Sequence, residues 1–172
     1  MKKIILSVAL IATVITATAQ SSNSDGSAIK FSAGLEVGLP VGDFNTISSI
    51  GFGASLQGEY AVSEKAGITL SAGYLTFSGK SIDLGGLGTV KWPSTSIVPI
   101  LAGAKIYFSE KVYGHAQVGI SILNNGGGSA FTYAPAIGVM ASENIDISFK
   151  YQAATKSGGT ISFLGLRAAY TF

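Results

Sequence analysis

From Lys30 to Phe172 apolar residues recur at every second position along the chain. This is the period of a β-strand, in which successive side chains point to opposite faces. The pattern predicts eight strands. The first places Phe31, Ala33, Leu35 and Val37 on one face and Lys30, Ser32, Gly34 and Glu36 on the other. The second sets Phe52, Ala54, Leu56, Tyr60 and Val62 against Ser55, Gln57 and Glu59, and the third sets Ile68, Leu70, Ala72 and Tyr74 against Thr69, Ser71 and Gly73. In the fourth, Val98 to Phe108 alternate around Lys105. In the fifth, Val112, Ala116, Val118, Ile120 and Ile122 oppose His115, Gln117 and Ser121. A less regular sixth runs from Phe131 to Val139, a seventh from Ile145 to Gln152, and an eighth from Leu164 to Phe172. The titratable residues within these strands are Lys30, Glu36, Glu59, Lys105, His115, Asp146, Lys150 and Arg167, and each falls on the face opposite the large apolar residues.

One face is therefore uniformly apolar, and the other is narrow, rich in Gly, Ala and Ser, and mixed in charge. A soluble barrel also alternates, but its outer face must meet water. Composition decides between the two arrangements. Hydrophobic residues make up 47% of the 172 residues and charged residues only 12%, against about 25% charged in an ordinary soluble domain. The mean hydropathy is +0.45. The one sustained apolar run, Ile4 to Ala17, falls short of the roughly 20 residues a spanning helix needs. Glycine, present 23 times, costs about 1 kcal/mol in a helix relative to Ala. The expected fold is all-β: an eight-stranded antiparallel up-and-down transmembrane β-barrel with the apolar face toward lipid. Closure is required because an open sheet edge in hydrocarbon leaves backbone groups unpaired.

The connections alternate in length. Ser63-Glu64-Lys65, Ser109-Glu110-Lys111 and Ser142-Glu143-Asn144 read as short charged turns, with longer links expected at Pro40–Ser49, Ser78–Pro93, Asn124–Ser129 and Thr155–Gly159. Tight turns on one side and longer loops on the other are the habit of outer-membrane barrels. Phe44, Tyr60, Phe77, Phe108, Tyr113, Tyr133, Tyr151, Tyr170 and Phe172 lie toward strand ends, where aromatic girdles are expected. Pro99 and Pro135 lack a ladder donor, so each predicts a bulge or local break and leaves the register of its strand open.

The first residues read as an address. Met1-Lys2-Lys3 is a basic start, Ile4 to Ile15 an apolar core, and Ala17-Thr18-Ala19 a small-residue cleavage site, the layout of a secretory signal peptide. The expected organisation is a signal peptide over 1–19, a flexible polar leader over 20–27 and the barrel over 28–172. Removing Lys2 and Lys3 takes the eleven basic residues to nine, against nine acidic, so net charge gives no reason to expect a nucleic-acid partner. The chain has no cysteine, which excludes disulfides, a thiol nucleophile and thiolate metal sites.

Taken with the signal segment, Gly38-Leu39-Pro40-Val41-Gly42-Asp43-Phe44 closing the first strand and the terminal Leu164 to Phe172, the mature chain resembles the small eight-stranded outer-membrane β-barrel family. This is the porin-like group that includes OmpX, OmpW and the membrane domain of OmpA. The resemblance implies location in the cell outer membrane after export, contact with outer-membrane lipid, and insertion by the barrel-assembly machinery. Tyr170 and Phe172 would carry the assembly signal. A monomer is expected.

Candidate chemistry is sparse. His115, the one histidine, has no His, Asp or Glu partners at ligand spacing, so no metal site is expected, and it reads as a luminal polar residue. The serines near it form no nucleophile motif. Gly85-Gly86-Leu87-Gly88 and Gly126-Gly127-Gly128 lack the Lys-Ser/Thr and helix of a phosphate loop. No catalytic residue and no cofactor are expected. The remaining constellation is the luminal set Lys30, Glu36, Glu59, Lys105, His115, Asp146, Lys150 and Arg167. It reads either as a polar path for solutes or as an interlocked plug, and the narrow eight-stranded interior favours the plug. The expected role is structural or surface-interacting and non-catalytic. A narrow channel for small or apolar solutes is the alternative, and a lipid-modifying outer-membrane enzyme is a more remote one.

Overall fold

An alternating strand has one face to hide and two edges to pair, and a ring of strands meets both demands at once. In the computed structural model, which describes residues 29–83, 89–124 and 127–172, the chain closes such a ring. The elements in chain order are β1 (Ile29–Val41), the one-turn helix α1 (Phe44–Ile47), β2 (Ser48–Ser63), β3 (Ala66–Gly79), β4 (Ser81–Asp83), β5 (Thr89–Lys91), β6 (Thr95–Tyr107), β7 (Val112–Leu123), β8 (Gly128–Met140), β9 (Ile145–Lys156) and β10 (Gly159–Thr171). Eight of them form a closed antiparallel barrel in the order β1-β10-β9-β8-β7-β6-β3-β2, while β4 and β5 make a separate hairpin. The ring is sealed by β1 on β10, from Ser32↔Thr171 to Val41↔Ser162. The signal-peptide and leader segments, the Gly85–Gly88 stretch and Gly126 lie outside the described residues.

The predicted alternation holds in all eight barrel strands. Val118 is 54% exposed while its neighbour Gln117 is 6% exposed and faces the lumen. Leu35, Phe52, Leu70, Ile106, Phe131, Ile137, Phe149 and Leu166 all project outward. Along β7 the outward apolar positions run from Val112 to Ile122. That is about 33 Å of strand, or about 25 Å along the axis at a barrel tilt near 40°, the height of a bilayer-facing band.

The ends differ. One carries Ile29, Phe172 and the turns after β2, β6 and β8. The other carries α1, the β4–β5 hairpin, the link at 124–127 and the turn at 157–158. The links at this loop end are shorter than the sequence suggests. Most of Pro40–Ser49 is absorbed by β1, α1 and β2, Ser78–Pro93 contains a hairpin, and Thr155–Gly159 tightens to a two-residue turn because β9 continues to Lys156.

Near the loop end the alternation keeps its period but exchanges its faces. The inward residues become apolar: Leu75, Phe77, Ile97 and Phe163 are buried and pack together with Phe44, while Ile47, Leu123 and Ile161 border them. Their outward neighbours Thr76, Ser78, Ser96 and Thr160 carry hydroxyls. This corrects the girdle assignment of Phe44 and Phe77, which are buried inside the barrel, and of Tyr113, whose ring also points inward at 2% exposure. Tyr60, Phe108, Tyr133, Tyr170 and Phe172 do lie on the outside.

The two prolines interrupt the ladder on one side only. Pairing of β3 with β6 skips from Ala72↔Ile100 to Leu75↔Ile97 across Pro99, at an unchanged register. Pairing of β8 with β9 skips from Tyr133↔Ala153 to Ala136↔Lys150 across Pro135, again unchanged. Their other neighbour, β7, pairs through both, Pro99↔Ser121 and Ala116↔Pro135. A strand residue sends its N–H to one side, so a proline breaks one ladder and spares the other. Neither makes a bulge. The register shifts lie instead between β2 and β3, at Ser48/Gly51 and Ala61/Ser63.

Candidate functional site

The interior is the place where this chain could do chemistry or pass a solute. Antiparallel register brings residues remote in sequence onto adjacent inward positions: Glu36 beside Arg167, Lys105 beside His115, and Lys30 beside Glu59. Tilting of the strands then carries side chains across the narrow bore to partners on the far wall.

Two ionic groups result. Near the turn end, Lys105 Nζ lies 2.9 Å from Glu59 Oε2 and 3.4 Å from Asp146 Oδ2. Tyr107 donates its hydroxyl to Glu59 Oε1 at 2.7 Å, and Tyr113 donates to Asp146 Oδ1 at 2.6 Å. The same ammonium sits 4.1 Å from the centroid of the Tyr113 ring, within cation–π range. Deeper in the bore, Lys150 Nζ donates to Glu36 Oε2 at 2.7 Å. The guanidinium of Arg167 lies 3.9 Å from Glu36 Oε1 and donates to Ser55 Oγ at 2.9 Å and Ser32 Oγ at 3.1 Å. The three carboxylates Glu36, Glu59 and Asp146 thus meet the three cations Lys105, Lys150 and Arg167. A neutral, hydrogen-bonded set is the form in which charge survives burial.

Of the sequence-predicted cluster, Glu36, Glu59, Lys105, Asp146, Lys150 and Arg167 are brought together by these contacts. His115 is buried beside them, with Nε2 2.8 Å from Thr69 Oγ1. Lys30 is not part of either group: it is exposed at the turn end and lines the mouth of the bore. Sequence reasoning placed Tyr113 outside and did not single out Tyr107, because a tyrosine at a strand end fits a girdle and a lumen equally well. The even spacing of Tyr107 from Lys105, and of Tyr113 from His115, was the available signal.

Toward the loop end a hydroxyl layer follows. Thr132 donates to Ser121 Oγ at 2.7 Å, and Gln117 donates to Ser71 Oγ at 2.8 Å. Gln152, fully buried, has no hydrogen-bond partner for its amide among the described residues. Next comes the apolar chamber. Phe44 stands edge-on to Phe77 with ring centroids 5.0 Å apart, and Phe77 meets Phe163 at 5.1 Å. Helix α1 is pinned over this chamber by Lys80, whose ammonium reaches the backbone oxygen and Oδ1 of Asn45 and whose amide donates to Ile47.

Between the ionic groups and the hydroxyl layer the open space is about 20 Å³, bounded by Glu36, Gln117, His115, Lys150 and Arg167. That is room for about one water. The mouth at the turn end is wider, about 150 Å³ above Lys105 and Asp146, but it ends on the ionic groups. Close packing extends to the wall. A Cβ at Gly138 would lie 2.2 Å from Cζ of Tyr113, and one at Gly51 would lie 2.4 Å from Cδ1 of Phe77. Among the described residues no group of three His, Cys, Asp or Glu is placed to hold a metal ion.

No protein-family model and no curated protein matches the chain. Solved structures do. The attachment invasion locus protein Ail of Yersinia pestis superimposes with a TM-score of 0.58 at 15% identity, over 87% of this chain and 100% of that one. Neisserial surface protein A matches with a TM-score of 0.50 at 12% identity, over 86% and 100%. A de novo designed transmembrane β-barrel matches with a TM-score of 0.53 at 12% identity, over 83% and 95%. The fold is that of the small eight-stranded outer-membrane barrels.

Proposed function

We propose that this chain is an integral outer-membrane barrel with a sealed lumen, exported by its N-terminal signal segment, whose role is structural or surface-interacting and not catalytic. The observation that carries the reading is the filling of the bore. A solute entering from the turn end meets the Lys105–Glu59–Asp146 group, then Glu36–Lys150–Arg167 around a space of about 20 Å³, then a cluster of three phenylalanine rings. A polar solute finds the second barrier hostile, and an apolar one the first. The apolar belt about 25 Å tall supports the membrane setting. Neighbours described as an attachment invasion locus protein and as a surface protein support a role at the loop end. His115 and Thr69 face the bore behind the barrel wall, away from any lipid substrate.

The test is electrical. Purified barrel reconstituted in planar bilayers should give no unitary conductance steps, while the same preparation migrates as a folded, heat-modifiable band on gels. Steady ion-conducting openings from folded protein would replace the sealed reading with the narrow channel.

A further inference from the structure

The loop end of the bore is closed by helix α1, a single turn from Phe44 to Ile47. A helix this short has almost no stability of its own, so its position depends on what holds it. From inside it is held by Phe44, buried and edge-on to Phe77. From outside it is held by Lys80, through the ammonium on Asn45 and the backbone amide on Ile47. Asp43 at the N-cap makes no side-chain capping bond. Both joints of the helix depart from regular structure. Gly42 before it has a φ of 59°, a left-handed conformation that glycine adopts readily. After it the chain enters β2 through a register shift between Ser48 and Gly51. The hydroxyl of Ser48 is buried there with no hydrogen-bond partner among the described residues.

The chamber beneath α1 is walled by Leu75, Phe77, Ile97 and Phe163. Its border carries one unmet polar group. Gln152 of β9 stands opposite Phe163 in the β9–β10 ladder, where cross-strand neighbours lie about 5 Å apart. Its side chain is fully buried, and neither Oε1 nor Nε2 has a partner among the described residues. A buried amide left unpaired is destabilising, and it offers a donor and an acceptor at once. We propose that the loop-end chamber is a dead-end binding site for a small aromatic molecule with one hydrogen-bonding group, with Phe44 as its resident stopper and Gln152 as its polar contact. The ring of Phe44 shows what the chamber accepts, a single aromatic ring set edge-on to Phe77. When α1 swings out on its two joints, an incoming ring takes over those contacts, and a hydroxyl directed down the bore supplies Gln152 with a partner. An aliphatic chain would forfeit the edge-to-face contact. A sugar would bury several hydroxyls against apolar walls. The dead end rests on the sealed-lumen reading above, because Glu36, Lys150 and Arg167 close the bore beneath.

The test uses the full barrel in phosphatidylcholine nanodiscs and two probes of nearly the same shape, 4-fluorophenol and fluorobenzene, followed by fluorine NMR. Wild-type barrel should bind 4-fluorophenol saturably, and fluorobenzene about tenfold more weakly for want of the hydrogen bond. The Gln152→Leu variant should erase that difference. Phe44→Ala removes the resident ring and should tighten 4-fluorophenol binding, since the cost of opening is no longer charged to the ligand. The chain has no cysteine, so a disulfide can be placed where the Lys80 amide meets Ile47. Ile47→Cys/Lys80→Cys should lose 4-fluorophenol binding when oxidised and regain it on reduction, in the same lipid, which separates the chamber from partition into the bilayer. No saturable binding by wild type, equal binding of the two probes, a preference that survives Gln152→Leu, weaker binding by Phe44→Ala, or undiminished binding in the oxidised form would each overturn the proposal. Conductance steps that appear only with 4-fluorophenol present would instead overturn the sealed lumen and leave the binding site standing.

Discussion

Replacing Lys150 with Met removes one ammonium from the bore and keeps most of its volume. The partner it abandons, Glu36, is only 3% exposed. At the observed 2.7 Å, Coulomb's law with an effective dielectric near 20 gives an attraction of about 6 kcal/mol. Much of this only offsets the desolvation of two buried ions. Arg167 remains 3.9 Å from the other oxygen of Glu36, so the carboxylate keeps part of its compensation. Removing one member of a buried pair costs about 3–5 kcal/mol. With Arg167 in place the lower end is expected, about 3 kcal/mol, a large share of a typical stability of about 5–15 kcal/mol. The double variant Glu36→Gln/Lys150→Met takes one charge of each sign and leaves the bore neutral. It should recover part of the loss, because Arg167 then gives up the carboxylate 3.9 Å away but keeps Ser55 and Ser32. The assay is reversible urea unfolding in phosphatidylcholine vesicles, followed by far-UV circular dichroism. A Lys150→Met barrel within about 1 kcal/mol of wild type, the range expected of a solvent-screened pair, or a double variant no better than the single, would mean that water reaches these charges. The sealed bore would then be refuted.

Three further outcomes are expected. Gly138→Ala puts a methyl where the Tyr113 ring lies, so the ring must swing away from Asp146; overpacking of this kind costs about 1–3 kcal/mol, and the same unfolding assay should register it. Val118→Arg places a cation on the lipid face near the middle of β7 and should cost about 2–4 kcal/mol in vesicles; no loss there would invert the assignment of the faces. Deleting Phe172, which meets the Tyr170 ring edge to face and donates its amide to Phe31, should lower the amount of inserted barrel in cells without reducing export, as read by fractionation and heat-modifiable gel mobility.

The strands were legible because period-2 alternation needs no partner to be seen. Val118 and Gln117 declare their faces by their own chemistry, and so do Lys105 and Lys150. What pairs with what was not legible. Lys105 meets Glu59 and Asp146 only because closure fixes the registers around the ring, and no local pattern encodes that. The apolar chamber was misread for a different reason. Phe77 at the end of β3 fits an outward girdle by position, and only Thr76 and Ser78 on either side of it reveal that the faces have been exchanged. The same hydroxyl–apolar alternation recurs in Thr160-Ile161-Ser162-Phe163. Pro99 and Pro135 raised doubt about register because a missing donor is visible in sequence, whereas the neighbour toward which it would have pointed is not.

The closed ring also has no intrinsic first member. Phe172 donates its backbone amide to Phe31, so the chain ends where it starts to pair. As far as strand order is concerned, the ring could be cut at any turn and its old ends joined. In the proposed reading, export by the N-terminal segment is what breaks this equivalence. A cut at Glu64–Lys65 would leave both new termini at the same end as the present ones, while a cut at Ser157–Gly158 would move both to the opposite side of the membrane. In that reading the choice among such cuts belongs to the export route, superimposed on a strand order that is indifferent to it.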